Sequence, residues 1–347
     1  MLPASSHPIS PSRPTRYEWA AWVLMALSLG LVLWAGLLGA LLAGMAVYTI
    51  THALAKRLPA RLDSLAGRKV ALALVATLLA GGLTLVGVWL TSFFSGHGSG
   101  PGLGALMLRM AEILAQLKQI LPAWATENWP SSVHHVNQWA ADFLKSHASD
   151  VQTLSQDLLK ALTRLLIGMI LGGMVAVAQL DPNGSPRAPL AQALIDRLNR
   201  FVTVFGQVVS AQVKISALNT VFTALFLAVV LPLTGNSLPF TKTMIVLTFI
   251  VGLIPVLGNL ISNTVITVIA LSVSLWVAVA ALVFLIVIHK VEYFLNAKII
   301  GTQVQAKAWE LLASMLVMEA LFGIAGVIAA PIYYAYLKRE LRDRALI

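Results

Sequence analysis

Apolar residues dominate this chain, and the polar interruptions among them set out its elements. The first apolar stretch runs from Trp19 to Ile50. It is too long for one membrane crossing, which needs about 20 residues, and longer than a signal-peptide core of about 7–15. It predicts two short helices turning near Gly36–Gly39, with Arg13 and Arg16 before them and Lys56, Arg57 and Arg61 after. A third span is predicted over Val70–Phe93.

Between 95 and 160 the pattern changes. After the Gly-rich run Ser95–Gly102, Leu103, Leu106, Met107, Met110, Ile113, Leu114 and Leu117 recur at steps of three and four. This is one face of an amphipathic helix. Val133, Val136, Trp139 and Phe143 make a second stripe, and Val151, Leu154 and Leu158 start a third that runs into a span over Leu162–Leu180. Asp181–Pro189 reads as a turn-rich linker. The apolar positions from Leu190 to Val209, opposite Gln192, Asp196, Arg197, Asn199 and Arg200, fit either a helix on the cytoplasmic membrane surface or one packed on other spans. A fifth span follows over Ile215–Leu233 and a sixth apolar run over Leu275–Ile288.

The two remaining apolar segments are broken in the middle. Thr243–Leu271 contains Gly252, Pro255 and Gly258, followed by Asn259, Ser262 and Asn263. Leu311–Tyr336 contains Glu319, Gly323, Gly326 and Pro331. Proline removes a backbone donor and glycine frees the backbone, so both helices should open there. Open backbone at membrane depth is tolerated only in protein or beside a wet cavity, and paired breaks point to a transport site.

Composition agrees with this reading. The chain is 58% hydrophobic and 11% charged, against about 25% charged in soluble domains. The fold class is an all-α polytopic membrane protein with six to eight membrane segments and a small extracytoplasmic helical insertion. Its expected divisions are a cytoplasmic tail (1–18), three transmembrane helices (19–94), the insertion (95–160), a transmembrane helix (161–181), a cytoplasmic linker and amphipathic helix (182–214), a transport core (215–337) and a basic tail (338–347).

The net charge of +10 does not call for nucleic acid, because cytoplasmic loops of membrane proteins gather Lys and Arg. If both broken segments are hairpins, all but Arg109, Lys118, Lys145, Lys160, Arg164 and Lys242 of the 24 basic residues lie inside, with both termini cytoplasmic. If both span fully, Lys290, Lys298 and Lys307 move outside. Hairpins entering from opposite faces would meet near the midplane.

Candidate chemistry is sparse. Asn259, Ser262 and Asn263 can bind a polar solute or cap the reopened helix. Glu319 can couple protons or bind a cation, or sit near the interface. Lys290 and Glu292, after the sixth run, read as interfacial anchoring or as secondary site candidates with Gly301. Gln212 and Asn219 read as helix–helix hydrogen bonds. There are no cysteines, so thiol catalysis and Cys-type metal sites are excluded, and His134-His135 lack a third ligand. No phosphate loop, Gly-x-Ser-x-Gly elbow or His-Glu-x-x-His occurs. Neither an enzyme, a metal nor a cofactor is called for.

Ile254-Pro-Val-Leu-Gly258, Glu292 followed by Lys298-Ile-Ile-Gly301, and Leu321-Phe-Gly-Ile-Ala-Gly326 with Ala330-Pro331 occur in one order. With the N-terminal helix pair and the insertion, this resembles the autoinducer-2 exporter (AI-2E) family of transporters. The chain has Ala297 and Ala306-Lys-Ala308 where members usually carry prolines. The resemblance implies a bacterial inner-membrane, homo-oligomeric transporter that exports a furanosyl quorum-sensing signal or exchanges sodium or lithium for protons. The residues themselves leave open a facilitator of a small polar solute, a cation/proton antiporter, and a non-transporting scaffold using 95–160.

Overall fold

A computed structural model describes residues 14–57, 64–95, 148–178, 187–254, 257–303 and 306–346. Most of the 95–160 insertion, and Pro255 within the first break, lie outside the described residues. The described elements are helical: α1 (Arg16–Trp34), α2 (Leu38–Ala55), α3 (Ser64–Ser95), α4 (Ala148–Val177), α5 (Pro189–Leu225), α6 (Thr241–Gly252), α7 (Leu257–Leu271), α8 (Leu275–Gln303) and α9 (Ala308–Asp343). The molecule is an all-α integral membrane protein.

The first apolar stretch folds into α1 and α2. Thr15 caps α1 and Glu18 completes its capping box. The turn between them uses Gly36 at φ 64°, and Arg164 of α4 donates from Nη1 to the Gly36 carbonyl at 3.2 Å. Below that contact, α2 and α4 touch through backbone. A Cβ at Gly168 or Gly172 would collide with Ala40 or Gly44. Helices in lipid gain most of their association from such close packing.

The segments expected as an amphipathic helix ending at 214 and a span starting at 215 form one helix. α5 runs from Pro189, passes through a π-turn at Phe226–Val230 and ends with Leu231–Leu233. Pro232 cannot donate to the carbonyl four residues back, and a wider turn relieves the clash. The first half of α5 packs against α1, α2 and α9. Arg197, expected on a polar face, is 2% exposed, whereas Leu198, expected on the apolar one, is 51% exposed. The carboxylate of Glu340 turns the face around: it lies beside Arg197 and draws the guanidinium inward. Likewise α4 runs unbroken across the expected boundary at 160.

Both broken segments are helical hairpins. In the first, α6 and α7 fold back so that Thr248 and Ser262 share a hydrogen bond of 2.7 Å. A Cβ at Gly258 would strike the Val251 carbonyl. In the second, Gly323 sits at φ 60°, ψ −146°, a region that essentially only glycine enters. There α9 doubles back into arms 308–322 and 324–343. Gly326 rests against the Met318 carbonyl, and Lys338 pairs with Glu310. By length and composition five helices among the described residues can cross a membrane, Trp309–Asp343 being one. That segment is nonetheless two antiparallel arms.

Among the described residues the two hairpins pack on different parts of the molecule. Arm 324–343 lies antiparallel along α1: Trp22 donates to Glu340 at 3.2 Å, Tyr333 to the Leu29 carbonyl at 3.3 Å, and Leu33 packs on Ala329. Its tip therefore comes up beside the α1–α2 turn, where Met318 and Phe322 cover Leu33 and Leu38. Among the described residues the first hairpin packs on the later half of α5 and on α8, the second on the earlier half of α5 and on α1.

Candidate functional site

Ending a helix inside an apolar protein leaves its last carbonyls without partners. At the end of α6 the backbone tightens: Leu253 N–H goes to the Ile250 carbonyl and Ile254 N–H to Val251. The Phe249 carbonyl thereby loses its helical donor. Ser216 of α5 supplies one from Oγ at 2.6 Å, and Gln212, one turn earlier, donates from Nε2 to the Gly252 carbonyl at 2.7 Å. One turn further along α5, Asn219 donates from Nδ2 to Oδ1 of Asn259, on the returning helix, at 3.0 Å.

Gln212, Ser216, Asn219 and Thr223 are four, three and four residues apart, which puts them on one helix face. Ser216, Asn219 and Thr223 are buried. Facing them in the hairpin are Asn259, half-buried, and the buried pair Thr248 and Ser262. The result is a strip of amides and hydroxyls between α5 and the broken hairpin, in an otherwise apolar interior. The bonds from Gln212, Ser216 and Asn219 and the one between Thr248 and Ser262 join amides and hydroxyls to one another or to backbone carbonyls, and among the described residues no cluster of metal-ligating side chains occurs.

The structure brings some of the expected site residues together and separates others. Asn259 and Ser262 lie in the strip, Gly252 and Gly258 shape it, and Asn263 is half-buried beside it. Glu319 is elsewhere: it is exposed on arm 308–322, one turn before Gly323. Gly326 and buried Pro331 belong to that second hairpin. Lys290 is exposed on α8, and Glu292 and Gly301 fall in the same helix with surroundings outside the described set. Ser216, Thr223 and Thr248 were not singled out from the sequence. The polar stripe at helical spacing through an apolar span was the available signal.

The strip and the hairpins are built from the same stretches that carry the ordered motifs. The family of AI-2E family transporters matches residues 20–343. The chain belongs to the AI-2E transporter family. A Bacillus subtilis (strain 168) relative described as "Putative transport protein YdbI" is 30% identical over 138 residues, 39% of this chain and 38% of that protein. The match thus spans well under half the length of that relative. No solved structure matches the chain. Membership in the AI-2E family and the apolar, helical, strand-free fold of its described residues agree on an integral membrane protein.

Proposed function

We propose that this AI-2E transporter is a secondary transporter or facilitator that moves a small, uncharged polar solute across the bacterial inner membrane, along the strip between α5 and the first hairpin. One observation carries the reading. Gln212 and Ser216 spend their side chains on the Gly252 and Phe249 carbonyls, respectively, at a break in a helix. Such bonds can be exchanged for bonds to a solute, because the solute's own hydroxyls and carbonyls replace what the hairpin gives up. An arriving solute would bond Asn259, Asn219 and Ser262 as the hairpin tip moves off α5. A furanosyl signal such as autoinducer-2 fits this chemistry, with its hydroxyls and no need of a counter-charge.

The cation/proton antiporter reading would put a carboxylate in the strip. The one membrane-hairpin candidate, Glu319, is on the outer face of the other hairpin. The scaffold reading rests on 95–160, most of which lies outside the described residues. For topology, α6 has 12 residues, about 18 Å at 1.5 Å per residue, short of the ~30 Å hydrocarbon core. That supports a re-entrant first hairpin, and the returning α9 supports cytoplasmic placement of Lys307, Lys338 and both termini. A homo-oligomer remains the expectation that accompanies family membership.

The test is flux into proteoliposomes with purified protein and a panel of neutral polar solutes, autoinducer-2 included, with and without a sodium or proton gradient. Saturable flux of a neutral solute, lowered about tenfold by Asn259→Ala with protein still folded, is expected. Flux of sodium coupled to protons, with no solute moved, would overturn the reading.

A further inference from the structure

Away from the transport strip, a groove of about 880 Å³ opens among α2, α3 and α4. Its walls are Val47 of α2, the face of α3 from Lys69 to Ala80, and the face of α4 from Leu166 to Val177. Small side chains leave the space: α3 turns Ala73, Ala76 and Ala80 toward it, and α4 turns Gly173. Close contacts set the register. Gly168 and Gly172 of α4 rest on Ala40 and Gly44 of α2, so those two helices run the same way. α3 begins nine residues after α2 ends and runs back against both. The Leu72 side chain lies against Gly173. Lys69, one turn before Leu72, therefore stands level with Val177, one turn after Gly173.

The groove has a charged end and an apolar end. Lys69 is the one charged residue in its walls, and it is exposed. No ion pair among the described residues engages it. Lys56 and Arg57 close α2, and Arg68 precedes Lys69. Lys56 and Arg68 both bring their charge to bear on His52, so the end of α2 and the start of α3 share one basic cluster. α2 and α3 contain no Asp or Glu, and the acids of α4, Asp150 and Asp157, precede the groove at its other end. From Lys69 to Ala80 the wall is about 17 Å long at 1.5 Å per residue. That is close to one leaflet's share, about half, of the ~30 Å hydrocarbon core.

We infer that this groove seats one anionic phospholipid of the cytoplasmic leaflet, an acyl chain lying along Ala73, Ala76 and Ala80 and the phosphate at the Lys69 ammonium. The basic end is the cytoplasmic one by the positive-inside rule. A lysine stem lies along apolar surface while its ammonium reaches the headgroup level, and basic pockets between helices on that side suit anionic headgroups. The depth fits a lipid better than a helix of a second copy, which would need a face running the full thickness of the membrane. The seated chain would fill the space that the alanines leave between α3 and α4.

The experiment follows intrinsic tryptophan fluorescence during heating of the full-length protein in detergent. Phosphatidylglycerol, phosphatidylcholine of the same chains, glycerol phosphate and inorganic phosphate are added separately. A ligand that binds the folded state raises Tm. Phosphatidylglycerol is expected to raise it by several degrees more than phosphatidylcholine, and the two phosphates to have no effect. Lys69→Gln, at an exposed position, should fold and bring the phosphatidylglycerol shift down to that of phosphatidylcholine. Ala76→Phe should fill the groove and lose the same excess, and Ala73→Phe, on the same wall, serves if it does not fold. Lys242→Gln, at an exposed lysine of α6 outside the groove, should keep the excess. Equal shifts with both lipids, a shift reproduced by either phosphate, an excess that survives Lys69→Gln or the filled groove, or one lost in Lys242→Gln would overturn the assignment. So would a filled groove that changes the number of subunits seen by light scattering while lipid makes no difference, which would give the groove to a second copy.

Discussion

Asn219 of α5 donates to Oδ1 of Asn259 at 3.0 Å, so the helix that returns from the first break is tied side chain to side chain to the longest helix among the described residues. This bond and the two from Gln212 and Ser216 hold the broken hairpin along a single face of α5. In the proposed path these bonds are the ones an arriving solute would replace.

Breaking the amide pair should separate adhesion from transport. Side-chain hydrogen bonds between membrane helices average about 0.6 kcal/mol and reach about 1.7. A double-mutant cycle of Asn219→Ala and Asn259→Ala should give a coupling in that range from unfolding measurements. Flux should fall about tenfold in each single variant. Fluxes that track only the small stability losses would show the pair to be adhesive alone.

The fold-back of α9 can be tested by cross-linking, helped by the absence of cysteine. With Glu310→Cys and Lys338→Cys together, a bifunctional thiol cross-linker about as long as the Lys–Glu pair it replaces should join the two arms within one chain, since the two side chains pair. In an unbroken helix these positions would be about 42 Å apart at 1.5 Å per residue, and no bond would form.

Gly323→Ala should be costly although the space around it is open. No atom lies within 4 Å of a Cβ built there, so the penalty comes from φ 60°, ψ −146° alone. Strain of this kind costs about 1–3 kcal/mol. A lowered Tm is expected, together with a weaker cross-link between positions 310 and 338. Gly30→Ala, in a helical position with open space, should instead raise stability by about 0.5–1 kcal/mol.

Topology is read by labelling. A cysteine at Lys290, exposed near the later part of α8, should react with an impermeant thiol reagent from the cytoplasmic side only. Labelling from outside would favour fully spanning broken segments.

The turn between α1 and α2 was legible because Gly36 breaks a stretch too long for one crossing. The breaks near Gly252 and Gly323 were legible for a similar reason: glycine and proline act locally, through their own backbone. Arg197 was misread. Its neighbours along the helix mark a polar face, but its environment is set by Glu340 and Trp22, far away in sequence. The same applies to the boundary at 214, where a change in composition falls inside a continuous helix.

By itself the sequence determined that this is an all-α membrane protein, where its helices break and which family its motifs resemble. Those features follow from transfer of apolar residues out of water and from local backbone chemistry, both properties of short stretches. Only the tertiary structure decided that the breaks are hairpins, that each docks on its own half of α5, and that Asn219 meets Asn259 while Glu319 does not. Packing chose among these, because buried carbonyls and charges must find partners and the partners come from distant parts of the chain.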